Sequence, residues 1–342
     1  VSVIVPARNE ARHIERCVRS ILATDWPHLE LVVVDDHSSD GTGDLARTAG
    51  HGDPRLRVVA PPPLPSDWFG KQWACWHGAQ EARGTLLLFT DADTWHAPDL
   101  VPRLVRALEA SGVALMSVAG TQEMETFWER LVLPIPFFFL LLRFGGADRV
   151  ERARTPRDAI ANGQCFLVRR DAYDAIGGHA AVRDTVAEDL MIGQRMAASG
   201  RRVGVRLGLA QLRTRMYTSL GTLVAGWAKN VYAGGRHFIP DQPVAQALYR
   251  AALVAGPWWF VLPFVLAGLG LAGVVPPWLR DAGLVAAFAQ TAWACLGYAL
   301  LRLPPWLGLL HPLGMAVMSW IGLVSVWRGD RVRWKGRTYR AA

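Results

Sequence analysis

The sequence predicts an α/β domain, a mostly parallel sheet flanked by helices, followed by C-terminal transmembrane helices. Three observations carry this expectation. Short apolar runs alternate with helical spacing over the first 230 residues, which is the rhythm of a right-handed, mostly parallel α/β sheet. One such run, Thr85-Leu86-Leu87-Leu88-Phe89-Thr90, ends abruptly in carboxylates at Asp91 and Asp93. Beyond about Ala251 the chain is almost free of charge for long stretches. The 342 residues therefore divide into an α/β domain over 1–230, an interfacial linker over 231–250, a transmembrane region over 251–327 and a basic tail over 328–342. Val1 already lies inside a strand-like run with no initiator Met, so an upstream segment is expected.

In order, Val1 to Pro6 reads as a buried first strand, and Ala7-Arg8-Asn9-Glu10 as the loop after it. Ile14, Val18, Ile21 and Leu22 then recur at helical spacing until Pro27 stops the helix. The second strand, Leu29 to Val34, runs into Asp35-Asp36-His37-Ser38-Ser39-Asp40-Gly41-Thr42, where a second helix begins. Asp36 at this strand end can accept hydrogen bonds from a uracil or ribose edge. Capping the helix is the alternative, and Ser38, Ser39 or Asp40 suits that better. Leu56 to Val59 is a third strand, and Pro61 to Pro65 a stiff connector. Trp68-Phe69-Gly70-Lys71-Gln72-Trp73-Ala74 opens a helix that continues to about Ala82. A lysine at a helix N-terminus suits a pyrophosphate, because free N–H groups and the helix dipole favour an anion there. An exposed lysine beside two core tryptophans is the alternative.

The strand ending in Asp91 and Asp93 follows. Ligands of parallel sheets bind beyond the carboxyl ends of the strands, so these aspartates sit where a ligand would. Two hard oxygen ligands suit Mg²⁺ or Mn²⁺ bridged to a diphosphate. An Asx-rich turn before the helix near Pro98 is the alternative. A further strand is expected near Val113 to Val118. Leu131 to Phe144 holds two prolines in fourteen residues, too short and broken for a span of about 20 apolar residues. It reads as a segment lying in a membrane interface or shielding an apolar substrate, or as a core helix. Asn162-Gly163-Gln164 is a turn before a strand to Arg170. Glu188 and Asp189 then open a helix, where acids serve the dipole or supply a base aimed into the sheet crevice. A later helix carries Gly226-Trp227-Ala228-Lys229-Asn230.

Three apolar stretches follow, near Ala251 to Val275, Gly283 to Leu301 and Trp306 to Trp327. Each is long enough to span, although Pro257, Pro263 and Pro312 interrupt two of them. Tryptophans cluster near their ends, as at a membrane–water interface. The tail from Arg328 to Arg340 holds six basic residues and one acid, which the positive-inside rule puts in the cytosol. Three crossings would instead leave a cytosolic α/β domain and an external tail, so the proline-broken Ala251 to Val275 is expected to be re-entrant or interfacial.

The formal charge is +8, from 37 basic and 29 acidic residues, and only Lys71, Lys229 and Lys335 are lysines. No basic-aromatic module for nucleic acid is present; anionic headgroups and a nucleotide diphosphate account better for the excess. Four cysteines without paired spacing read as reduced and structural, which fits a cytosolic face.

Taken in order, Val-Ser-Val-Ile-Val-Pro-Ala-Arg-Asn-Glu, Val-Val-Val-Asp-Asp-His-Ser-Ser-Asp-Gly-Thr, Thr-Asp-Ala-Asp and Glu-Asp-Leu resemble the family 2 glycosyltransferases with a GT-A (nucleotide-diphospho-sugar transferase) fold. The resemblance covers Val1 to about Asn230. More narrowly, Gly70-Lys71-Gln72-Trp73-Ala74, Asn162-Gly163-Gln164, Gly226-Trp227-Ala228-Lys229-Asn230 and Trp334-Lys335-Gly336-Arg337 look like the membrane-bound branch associated with hopanoid and carotenoid glycosylation, related to ceramide glucosyltransferases. The resemblance implies that Asp36 contacts the uracil or ribose, that Asp93 is the main metal ligand with Asp91 supporting it, and that Asp189 is the catalytic base. It also places Pro6, Arg8, Glu10 and Lys71 on the donor side. Where related synthases carry a Q/R-x-x-R-W helix, this chain reads Leu223-Val224-Ala225-Gly226-Trp227. Only Trp227 is kept, and Lys229 is the candidate to hold the diphosphate in place of the missing arginine.

The function so implied is inverting transfer of a sugar from a nucleotide-diphospho-sugar, expected to be a UDP-sugar, to a hydroxyl of a membrane lipid acceptor. The enzyme would be multi-pass in the cell membrane, its catalytic domain facing the cytosol, with Mg²⁺ or Mn²⁺ as cofactor. Two alternatives stand beside it: a polyprenyl-phosphate sugar transferase, and a catalytically silent nucleotide-sugar-binding membrane subunit, which has little use for Asp189.

Overall fold

The computed structural model describes residues 1–153, 155–236, 239–329 and 331–340. The chain divides into two compact units. The first is Val1–Glu123, Arg143–Met216 and Arg333–Ala342; the second is Met124–Leu142 and Tyr217–Val332.

A seven-stranded sheet organises the first unit. Its spatial order is Leu56–Val59, Glu30–Asp35, Ser2–Ala7, Leu86–Thr90, Cys165–Arg169, Leu115–Ala119, Val203–Leu207. Four of the six neighbouring pairs are parallel, and only Cys165–Arg169 runs against its neighbours. Both sheet faces are covered, so the strands read as continuous apolar runs, and alternate residues enter different layers. Val3, Val5, Val33 and Leu88 pack with the helix Ile14–Leu22 through Ile14, Val18 and Ile21. Ile4, Val32, Val34 and Phe89 pack on the other face with Ala74, Cys75 and Tyr173. Each fully buried Val, Ile, Leu or Phe among them contributes about 1.5–3 kcal/mol relative to exposure.

Register carries the candidate residues to one edge. Ala7 pairs with Asp35 and Ile4 with Phe89, so Pro6, Asp36 and Asp91 lie at the carboxyl ends of adjacent strands. The reversed strand pairs Cys165 with Thr90. Its beginning, not its end, therefore lies at that edge, which brings in the turn Asn162-Gly163-Gln164.

The second unit is helical. Two of its helices, Pro277–Leu300 and Pro305–Arg328, are long and apolar enough to cross a membrane. Preceding them, Pro243–Phe260 and Leu262–Leu271 form a pair bent by 45°. The bend falls between Pro257 and Pro263, each of which removes a backbone donor. Some polar side chains among these helices find partners within the unit, where an apolar surround offers none, whereas Gln290 Oε1 and His311 Nε2 are buried without a hydrogen-bond partner among the described residues. Ser319 Oγ donates to Val254 O at 2.6 Å and accepts from Trp258 Nε1 at 2.8 Å. Ser325 Oγ donates to Ala228 O at 2.6 Å. Large apolar side chains face outward, Phe288 being 78% and Leu300 76% exposed, so this unit associates with a membrane. The stretch Leu131 to Phe144 belongs to two helices, Phe127–Val132 and Pro134–Phe144. Leu131 to Leu133 are buried, whereas Phe138 through Leu142 are exposed.

Candidate functional site

The strand Leu86–Thr90 stops because the chain turns through Asp91-Ala92-Asp93 into the short strand Thr94–His96. Thr94 Oγ1 donates to Asp91 O at 2.7 Å and Thr90 Oγ1 to Gln164 O at 2.8 Å, which pins the turn to the neighbouring strand start. Lys71, in the first turn of the helix Gly70–Glu81, reaches this turn. Its Nζ lies 2.7 Å from Asp91 Oδ1 and 2.7 Å from Glu188 Oε1. Burial works against the ammonium charge, but Asp91 and Glu188 outweigh it and hold its pKa well above the ordinary value. Burial also raises the Asp91 carboxyl, with Lys71 opposing. Asp93 accepts from Thr214 Oγ1 at 3.3 Å. Burial first, then Asp91 and Glu10, push it up to about 7, with His13 and Lys71 opposing.

Glu188 and Asp189 begin the helix Glu188–Ala198, which has no side-chain N-cap. Asp189 serves its own helix end, Oδ1 accepting from Leu190 N–H at 2.8 Å, while Oδ2 accepts from Gly163 N–H at 2.6 Å. The first contact meets the helix dipole and the second ties the carboxylate to the sheet edge. Burial, then Glu188, raise its pKa to about 6, against Lys71 and the two N–H donors. Gly163 has no room for a side chain, since a Cβ there would stand 2.7 Å from Asp189 Oδ2.

On the other flank, Asp36 is buried and its N–H donates to Ala7 O at 2.8 Å. It caps no helix; Asp40 Oδ1 accepts from Thr42 N–H at 3.1 Å instead. Arg8 donates to the carbonyls of Asp36 and His37. Glu10 N–H donates to Thr42 Oγ1 at 2.8 Å, and its carbonyl accepts from His13 and Ile14 where the first helix starts. Pro6 lines one small cavity with Lys71, Asp91, Gly163 and Glu188.

The sheet edge thus gathers Pro6, Arg8, Glu10, Asp36, Lys71, Asp91, Asp93 and Asp189. Trp227 and Lys229 lie in the helix Leu220–Gly235 of the second unit, where Trp227 is buried edge-on against Phe137 at 5.8 Å. Residues at this edge that the sequence-predicted site did not include are Glu188, Gly163 and Thr214. Glu188 carried a signal in its adjacency to Asp189, and Gly163 in its place in a quoted motif; Thr214 carried none. Among the described residues no group of three or more His, Cys, Asp or Glu side chains assembles to hold a metal ion. What the edge offers a cation is Asp93, a carboxylate crowded by other acids, with Asp91 beside it. That set fits Mg²⁺ or Mn²⁺, which complete their shells with phosphate oxygens and water.

A family model described as glycosyl transferase family 2 matches residues 2–177. The chain is 27% identical over 261 residues to a 4,4'-diaponeurosporenoate glycosyltransferase of Staphylococcus aureus (strain USA300), covering 75% of this chain and 67% of the relative. Among solved structures it resembles mannosyltransferase PcManGT from Pyrobaculum calidifontis, determined in complex with GDP-Man and Mn2+. That likeness has a TM-score of 0.58 at 21% identity over 96% of this chain and 87% of the other, and it concerns the fold.

Proposed function

We propose, from the premise that the chain belongs to glycosyl transferase family 2 and has the GT-A fold, that it moves a sugar from a nucleotide-diphospho-sugar, a UDP-sugar, to a hydroxyl of a membrane lipid with inversion. One observation carries the reading. Lys71 Nζ touches both Asp91 and Glu188, so the strand-end carboxylates and the start of the Asp189 helix form one site.

The chemistry follows from charge. The bond from the anomeric carbon to the diphosphate oxygen breaks, the diphosphate leaves with the electron pair, and the acceptor oxygen bonds to that carbon from the opposite face. Asp189 takes the hydroxyl proton, and its raised pKa makes it a stronger base than an ordinary aspartate while leaving it ionised near neutrality. Gly163 N–H orients the carboxylate. Asp93, supported by Asp91, would hold the divalent cation, which when bound supplies positive charge to the departing diphosphate. Lys71 fixes Asp91 and Glu188 with two of its three N–H donors. Asp36, Pro6, Arg8 and Glu10 take the nucleoside side, and Trp227 and Lys229 are kept as donor-side candidates. A phosphate acceptor needs a base far less, so a positioned Asp189 favours the hydroxyl acceptor over the polyprenyl-phosphate alternative.

Support for a lipid acceptor comes from the apolar second unit, from the exposed Phe138 to Leu142, which suit a membrane interface, and from the acceptor in the name of the staphylococcal relative. We read the enzyme as multi-pass, its catalytic domain and basic tail on the cytosolic side and the bent pair re-entrant. The test is incubation of the purified chain and a lipid extract with a panel of labelled nucleotide sugars. Label from one UDP-sugar should enter the lipid phase as an alkali-stable glycoside. Donor hydrolysis alone, or transfer only to a lipid phosphate, would overturn the reading.

A further inference from the structure

We infer that the C-terminal hairpin is part of the donor site, with Lys335 and Arg337 as donor-positioning residues that bind the diphosphate of the incoming nucleotide sugar. This rests on the donor reading above. The strands Arg331–Trp334 and Arg337–Arg340 are joined by Lys335-Gly336, and both turn residues have positive φ, 46° and 79°. Two-residue hairpin turns of this kind favour Asn and Gly. A lysine there accepts an unfavourable backbone, and its ammonium is held at the sheet edge: Nζ lies 2.9 Å from Glu10 Oε1 and 3.0 Å from Asn9 O. Arg8 Nε donates to the Lys335 carbonyl at 3.3 Å.

Arg337 grips Asp36 with two guanidinium nitrogens, one on each carboxylate oxygen. Tyr339 seals the contact, its ring 4.4 Å from that of Phe69 and its hydroxyl accepting from Gly70 N–H at 3.3 Å. Gly70 is glycine for a reason of space. A Cβ there would stand 2.8 Å from both Arg337 Nη1 and Asp36 Oδ2 and 3.0 Å from the Tyr339 hydroxyl. Among the described residues, three of the five non-glycine positions with positive φ, Asn9, His37 and Lys335, belong to one hydrogen-bond network, with Lys335 Nζ on Asn9 O and Arg8 on the carbonyls of His37 and Lys335. Such clustering marks sites where backbone strain is kept for a purpose.

The charge count supplies the purpose. The donor edge is lined by Glu10, Asp36, Asp91 and Asp93, and Lys71 is already engaged by two carboxylates. Arg8 at this edge is engaged by the carbonyls of Asp36, His37 and Lys335, so a diphosphate entering there meets mostly acids. Lys335 and Arg337 are partly desolvated cations that can exchange a carboxylate for a phosphate, the planar Arg fork being suited to both. They also answer the missing arginine of the helix before Trp227 with cations from the first unit itself.

Equilibrium binding of UMP, UDP, GMP and GDP to the full chain in detergent, with Mg²⁺, tests this. The wild type should bind one diphosphate more tightly than its monophosphate, and Lys335→Ala and Arg337→Ala should each shrink that margin by about tenfold or more with monophosphate affinity kept. Arg337→Lys, which keeps the charge and loses the fork, should recover only part of it and guards against a truncation that fails to fold. In transfer assays the same variants should raise donor KM and leave acceptor KM unchanged. Unchanged margins would overturn the inference, and so would tighter diphosphate binding in the variants, which would make the hairpin a competitor of the donor. A wild type that binds neither diphosphate would sink the donor reading itself, and this inference with it.

Discussion

Asp91 and Asp93 close a strand, whereas Glu188 and Asp189 open a helix, and in each pair Lys71 takes one member and leaves the other. Asp91 and Glu188 are bound to its ammonium. Asp93 has a threonine hydroxyl and Asp189 two backbone N–H groups; burial pushes these carboxyls up to about 7 and about 6, and it raises Asp91 too, where the bound Lys71 opposes it. The comparison teaches a division of labour. One cation spans two pairs of acids and holds the scaffold, and the partner left without it in each pair keeps the proton affinity or cation affinity that chemistry can use. On the proposed reading Asp93 serves the donor side and Asp189 the acceptor side.

The sharpest way to break the comparison is Asp189→Asn, which keeps the shape and removes the base. General-base catalysis contributes about 10² to 10⁴ in rate, so lipid glycosylation should fall by at least about a hundredfold. Wild-type transfer should rise as pH climbs through about 6 and level off above it. Retention of that limb in the variant would assign it to another group. The linked stability change has a definite sign. With the folded pKa above that of an ordinary aspartate, about 3.9, the Asp189 contribution is full below about 4 and is lost as pH rises through about 6. Melting curves should therefore shift in favour of Asp189→Asn, relative to wild type, between pH 4 and 7.

Next in size is Lys71→Met, which strips both pairs at once. Breaking a fully buried ion pair costs about 3–5 kcal/mol. Lys71 and Asp91 are each about a quarter exposed, so roughly 2 kcal/mol is expected, read as a lower Tm together with loss of transfer. A variant as stable as wild type would show that Lys71 does not hold the two pairs. Smaller again is Gly163→Ala, whose methyl crowds Asp189 and not Asp93. It should slow transfer by about tenfold, the scale of a small misalignment, with donor KM unchanged. An equal rise in donor KM would blur the two sides.

Much of this was legible in the sequence where the signal is local. Val1 to Pro6, Leu29 to Val34 and Leu86 to Thr90 are apolar runs because both sheet faces are covered, and each ends in the polar residues that the common edge requires. The direction of Cys165–Arg169 was not legible, since a buried strand has the same composition whichever way it runs. The double bridge of Lys71 was hidden for another reason: Glu188 is far from Lys71 along the chain, and no periodic pattern encodes a contact made by tertiary packing. The basic tail read as a topology signal from its charge alone. Its hairpin became visible only through Lys335 and Arg337 meeting Glu10 and Asp36. Rarity was a partial clue, because Lys71 and Lys335, two of the three lysines, both pair with acids at the sheet edge.

The most direct test of the division between the two pairs is a titration of UDP binding with and without Mg²⁺, run side by side on wild type, Asp93→Asn and Asp189→Asn. The account predicts that Asp93→Asn loses the Mg²⁺-dependent gain in affinity, while Asp189→Asn binds as wild type does. Equal weakening in the two variants, or a Mg²⁺ response that survives Asp93→Asn, would contradict it.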